Sequence, residues 1–139
     1  MYKHIVIAAD GSDNSVRAAA EAAKLARISP QALIDVLLVI DPDRIRDEVL
    51  HSTNHEEIEF YRQERLQPVL DILQQAELTP KLTTVKGEPG PAIVKYADEN
   101  AVDLIVIGTR GLNALQEFVL GSVSHKVVKR AHCPVLIVK

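Results

Sequence analysis

Two textures alternate along this chain. The first is a short, β-branched, apolar run: His4–Ala9 (HIVIAA), Ala32–Ile40 (ALIDVLLVI), Lys81–Lys86 (KLTTVK), Asp103–Gly108 (DLIVIG) and Pro134–Lys139 (PVLIVK). Four of the five are almost continuously apolar, the pattern of strands buried on both faces of a parallel sheet. Lys81–Lys86 is more polar and alternates, which suits an edge strand.

The second texture is helical. Ser15–Arg27 is alanine-rich, and Val16, Ala19, Ala20, Ala23 and Ala26 form a stripe small enough to bring a helix close to the sheet. From about Asn54 to Ala76 a longer amphipathic stretch carries Ile58, Tyr61, Leu66, Val69, Leu70 and Leu73 as its apolar set. Pro68 inside it predicts a kink or two helices. Pro91–Asn100 places Pro91 at a helix start, with Ile93, Val94 and Ala97 inward. Ser122–Ala131 places Ser122 at the cap and Ser124, Val127, Val128 and Ala131 on one face.

The order β-α-β-α-β-α-β-α-β predicts an α/β fold: one open, five-stranded, mostly parallel sheet with helices on both faces and right-handed crossovers. The 139 residues suit a single domain, 1–139, able to bury a real core. Ligands in such sheets bind at the carboxyl ends of the strands, where the strand order reverses. The loops after the strands are therefore the places to look for chemistry. Asp41–Asn54 is polar and charged and is expected to be a surface loop.

Composition narrows the function classes. A net charge of −3, with no run of Lys or Arg, argues against a nucleic-acid or anionic-membrane grip. No apolar run reaches membrane-span length, and the opening MYKHIVIAAD lacks the basic-then-apolar plan of a secretory signal. A cytoplasmic protein without membrane insertion is expected. The lone Cys133 excludes an intrachain disulfide and is expected to be a small buried residue opening the last strand.

Two loops carry candidate chemistry. After the first strand comes Ala9-Asp10-Gly11-Ser12-Asp13. There Asp10 has the chemistry to hold Mg²⁺ through water or to accept from a ribose hydroxyl. Gly11 permits a tight turn, and Ser12 or Asp13 caps the next helix. The plainer alternative is a capped turn without a ligand. After the fourth strand the chain reads Gly108-Thr109-Arg110-Gly111, nine residues, then Gly121-Ser122-Val123-Ser124, a G-x2-G-x9-G-S pattern. Glycines let a phosphate chain approach the backbone, and the first amides of the following helix favour an anion. Ser122 and Ser124 offer hydroxyls, and Arg110 offers a positive charge. The spacing is neither a Walker A loop nor a dinucleotide fingerprint, and Gly87-Glu88-Pro89-Gly90 makes neither. The residues alone admit both a phosphate cradle and a set of turn glycines ahead of a capped helix.

The opening IVIAADGSDNS, the middle IVIGTRG, the LGSVS element and the closing CPVLIV together resemble a universal stress protein across essentially the whole chain. G-x2-G-x9-G-(S/T) is that family's ATP-binding signature, and it is complete here. The resemblance implies a Rossmann-like fold akin to the adenine-nucleotide α-hydrolases. It also implies an ATP site, with Mg²⁺ or Mn²⁺ accompanying the nucleotide. Asp10 would then sit beside the nucleotide and its metal, and the backbone near Val39 would touch adenine. Gly108, Arg110 and Gly111 would line the ribose and phosphates, while Gly121, Ser122, Val123 and Ser124 would hold the phosphate tail. Ala8, Ala9 and Ile107, at their strand ends, complete the implied set. Ala9 stands where members often carry Val, Pro or Thr. Members commonly dimerise through the last strand, and a bare apolar edge tends to find a partner. A homodimer through Pro134–Lys139, with Val135 and Ile137 at the interface, is therefore expected.

Other residues point less sharply. His51 and His55 are spaced for a helical metal pair beside Glu56 and Glu57, but they lack a third ligand at motif spacing and are expected to be exposed. His125 and His132 read as surface or helix-end groups. Leu112, Leu115, Phe118, Val119 and Leu120 give the glycine loop an apolar load, suited to a short helix folded back, a lid or a partner surface. The expected function is a regulatory ATP-binding homodimer with slow or no turnover. One alternative is a metal-dependent ATPase or adenylate-handling hydrolase. Another is a nucleotide-stabilised module that regulates a transporter or other partner.

Overall fold

The computed structural model describes residues 1–42, 55–109 and 120–139. Its elements in chain order are β1 (His4–Ala8), α1 (Asp13–Ile28), β2 (Leu33–Ile40), α2 (His55–Gln75), β3 (Lys81–Lys86), α3 (Pro89–Glu99), β4 (Leu104–Gly108), α4 (Ser122–Arg130) and β5 (Val135–Val138). The strands form one parallel sheet in the order β3-β2-β1-β4-β5. The chain steps outward from β1 through β2 to β3, then returns to β4 and steps the other way to β5. The order therefore reverses between β1 and β4, and Lys81–Lys86 lies at one edge as its alternation predicts.

The two faces hold separate cores. One packs α1 and α2 on the sheet, through Ile5, Ile7, Val36, Leu38, Val106 and the helical Ala19, Ala22, Val69 and Leu73. The other packs α3 and α4, through Val6, Leu37, Ile105, Ile93, Ala97 and Val127. The central strands alternate between these cores, so both sides of β1 and β4 are apolar. That explains their unbroken β-branched runs.

Several helices depart from expectation. The α1 face that turns inward is Ser15, Ala18, Ala19, Ala22, Ala23 and Ala26; Val16 and Ala20 are only partly covered. Pro68 does not divide α2, which is one helix from His55 to Gln75. Leu66, Val69, Leu70 and Leu73 are buried on both sides of the proline, while Pro68 itself is exposed. Burial across the interruption outweighs the single missing backbone bond. Helix α3 starts at Pro89, two residues before the expected Pro91, and buries Tyr96 along with Ile93 and Ala97. Val94 is only partly covered. On α4, Ser124 and Val127 are buried but Val128 is 46% exposed. Cys133 is a half-buried free thiol just ahead of β5, and burial raises its pKa.

Polar groups tie the amino ends of the strands together. Asp103 Oδ2 accepts from the amides of Lys3 (2.7 Å) and His4 (2.9 Å). These two bonds, Lys3 first, hold its carboxyl below the usual aspartate value. Asp35 of β2 is fully buried. Its Oδ1 accepts from Thr83 Oγ1 of β3 (2.6 Å), and its Oδ2 lies 3.0 Å from His4 Nε2 of β1 and accepts from the Tyr96 hydroxyl of α3. Every partner needed to bury that carboxylate thus comes from a different element.

Candidate functional site

The turn after β1 is built around Asp10. Ser12 takes the N-cap position of α1, and its hydroxyl accepts from the Ser15 amide. Gly11 has φ +89°, and a side chain there would also meet the Arg65 carbonyl at 2.8 Å. Asp10 Oδ1 accepts from the Ser12 amide (2.9 Å) and from the Ser15 hydroxyl (2.7 Å). The Asp10 amide donates to that same hydroxyl (2.9 Å), and the Asp10 carbonyl accepts from Arg65 Nε of α2 (2.8 Å).

The chain leaving β4 lies beside this turn, because Ala8 pairs with Ile107 across β1 and β4. Gly108 is buried, and a Cβ on it would come within 2.6 Å of Asn14 Cβ. Its missing side chain is therefore needed to seat the first turn of α1 on the end of β4. The sequence admitted that glycine either for ligand approach or as a turn residue, and did not reveal its packing against α1. The Thr109 carbonyl then accepts from the Gly121 amide (2.7 Å) and the Ser124 hydroxyl (2.8 Å). These two bonds fasten the start of α4 to the end of β4.

Among the described residues, the start of α4 carries no side-chain cap. Gly121, with ψ 160°, is the N-cap residue, and Ser122 is the first helical residue rather than the cap. Glycine is an accepted N-cap residue, and the cap therefore falls one position before the serine. The His125 amide makes the first turn's bond, to the Gly121 carbonyl (2.9 Å). The amides of Ser122, Val123 and Ser124 therefore have no acceptor inside the helix, the arrangement that favours an anion. The Ser124 side chain is buried, and its hydroxyl donates to Thr109 and Gly121 carbonyls. The Ser124 hydroxyl is thus turned inward onto the carbonyls that join α4 to the end of β4.

Beside this helix start lies a cleft of about 500 Å³. Its walls are Asp41 and Pro42 after β2, Gly87 and Glu88 between β3 and α3, Pro89 and Gly90 at the start of α3, and Ser122, Val123 and Lys126 of α4. The Gly87 amide donates to the Ile40 carbonyl (2.9 Å), fixing the β3 loop against the end of β2. Lys126 Nζ and Glu88 Oε1 meet at 2.5 Å across the rim, both partly exposed.

The sequence-derived residues fall into three groups. Asp10, Gly108 and Gly121–Ser124 are gathered at the carboxyl ends of β1 and β4. Ala8, Ala9 and Ile107 are buried strand-end positions, and Val39 is half-buried on the α3 and α4 side. Arg110, Gly111 and the residues up to Val119 lie outside the described residues, as does His51; the His55 side chain is likewise not described. Among the described residues no cluster of three His, Cys, Asp or Glu forms a metal site. Also among the described residues, no helix is long and apolar enough to cross a membrane. His125 and His132 are exposed, the latter 3.1 Å from Asp98 Oδ1. Asp41, Glu88, Gly90 and Lys126 were missed as cleft residues. The one signal available for them was position, since Asp41 and Gly87–Gly90 each follow a strand.

The fold agrees with comparison to known proteins. The family model "Universal stress protein family" matches residues 1–139. A universal stress protein of Thermus aquaticus is 38% identical over 141 residues, covering all of both chains. One from Methanocaldococcus jannaschii is 36% identical over 146 residues, covering all of this chain and 83% of that one. The crystal structure of a universal stress protein in complex with cAMP superposes with a TM-score of 0.73 at 31% identity, covering 99% of this chain and 96% of the other. This chain belongs to the universal stress protein family.

Proposed function

We propose that this chain is a regulatory ATP-binding member of its family, acting as a homodimer with slow or no turnover. The observation that carries the reading is the uncapped start of α4, set at the carboxyl end of β4 and opening beside the cleft. Three properties fit an adenine nucleotide. Backbone amides with no acceptor inside the helix suit the phosphates. The cleft has the volume of a small-molecule pocket. Asp10 Oδ2, without a hydrogen-bond partner among the described residues, suits a ribose hydroxyl or the hydrated Mg²⁺ or Mn²⁺ of the nucleotide. The cAMP held by a 31%-identical relative supports the same ligand class. The edge position of β5 supports the dimer.

A thermal-shift series with ATP, ADP, AMP, cAMP and GTP, with and without Mg²⁺, tests the reading. A binder at 100 times its Kd stabilises by about 2.7 kcal/mol. ATP is expected to do so and GTP much less; a flat response to every nucleotide sinks the proposal. Gly121→Val, which places a side chain at the start of α4, is expected to abolish the shift while leaving a cooperative fold. Metal-dependent ADP release well above buffer background, lost in Asp10→Ala, would establish a hydrolase instead.

A further inference from the structure

We infer that Ser15 is a positioning residue that makes Asp10 present a single carboxylate oxygen to the nucleotide; this rests on the nucleotide reading above. The Ser15 side chain is buried, and its hydroxyl both accepts from and donates to Asp10, with the Ser12 hydroxyl a further contact at 3.4 Å. Ser15 Oγ receives the Asp10 amide hydrogen at 2.9 Å and returns its own hydrogen to Asp10 Oδ1 at 2.7 Å. With the Ser12 amide also on Oδ1 at 2.9 Å, that oxygen has a donor for each lone pair. Oδ2 has no such partner among the described residues. The rotation of the carboxylate is thereby held, with one oxygen committed to the turn and the other left for a ligand.

Helix capping does not explain the Ser15 hydroxyl. The cap is already made by Ser12 Oγ accepting from the Ser15 amide. The hydroxyl instead reaches back past the cap to Asp10, the residue expected to meet the ligand. Chelation of a cation by both oxygens would require Oδ1 to give up one of its two hydrogen bonds. The arrangement therefore favours an end-on contact through Oδ2, to a ribose hydroxyl or a metal-bound water.

A double-mutant cycle on nucleotide affinity tests this, with Mg·ATP titrated calorimetrically into parent, Ser15→Ala, Asp10→Ala and the double variant. Ser15→Ala is expected to bind about tenfold more weakly, the effect of losing a hydrogen bond to a charged group. The double variant is expected to bind no more weakly than Asp10→Ala, because Ser15 acts through Asp10. Ser15→Cys keeps the shape with a weaker donor; it is expected to fall between parent and Ser15→Ala, and it carries the cycle if Ser15→Ala fails to fold. Parent-like binding by the Ser15 variants or by Asp10→Ala, or losses that multiply in the double variant, would overturn the role of Ser15. A parent that binds no nucleotide is a different outcome, and it overturns the ligand reading itself.

Discussion

At the scale of single residues, Asp35 shows how much one buried carboxylate asks of its surroundings. His4, Thr83 and Tyr96 close around it from two strands and a helix. Tyr96→Phe removes one of those donors and leaves Oδ2 partly unsatisfied. It is expected to lower stability by about 1–3 kcal/mol in urea denaturation near neutral pH. The same substitution changes the alkaline limb. Burial first, and then the hydrogen bond to Asp35, raise the Tyr96 phenol above its ordinary value of 10.0. The folded chain then holds that proton more tightly than the unfolded one. Its contribution is complete below pH 10.0 and is lost as pH rises through the raised folded value. Parent stability is therefore expected to fall more steeply above that pH than the variant's, as repeated denaturation curves will show. Little of this was legible beforehand. An acid inside ALIDVLLVI signals that partners are needed, but partners at positions 4, 83 and 96 meet it only through strand register and the packing of α3. The Ser15 contact escaped for the same reason, whereas Asp10 itself was marked by its place after a buried strand.

At the scale of elements, the strands were readable and the helix faces less so. Burial on both sides leaves a β-branched run that few other structures produce, and each strand end was found within about one residue, inside the usual latitude. In α1 alanines stand at 18, 19, 20, 22, 23 and 26, so more than one stripe satisfies the helical period, and only the sheet selects among them. Pro68 is the clearest case of packing overruling local preference. The helix carries an unfavourable residue at an exposed position because its neighbours are anchored. Pro68→Ala restores a backbone donor without altering a buried contact. It is expected to raise stability by about 1–2 kcal/mol, less than the full proline penalty because proline also restricts the unfolded chain. A drop in the denaturation midpoint would show that the proline shapes α2 in a way the chain needs.

At the scale of the whole molecule, the sheet order sets what is shared and what is exposed. The site assembles where the order reverses, from segments far apart in sequence: Asp10, the end of β4 and the start of α4. The glycine spacing marked two of these segments, while the cleft walls at Asp41 and Gly87–Gly90 came together only through the fold. At the far edge, Val135, Leu136 and Ile137 are only partly covered, and among the described residues β5 pairs with β4 alone. The proposed dimer is expected to show twice the 15.3 kDa chain mass by light scattering. Val135→Lys is expected to shift it to the monomer while the ATP-induced thermal shift persists; a monomeric parent would rule out pairing through this edge. The central place of β1 has a consequence for synthesis. Its neighbour on one side, β2, follows it closely, but Ile5 meets Leu104 on the other. A ribosome adding about 5–20 residues per second therefore releases β1 on the order of 5–20 s before that second neighbour exists. During that interval an apolar strand destined for the middle of the molecule stands at its boundary. The nascent chain is then most open to chaperones, and to mispairing with other copies of itself.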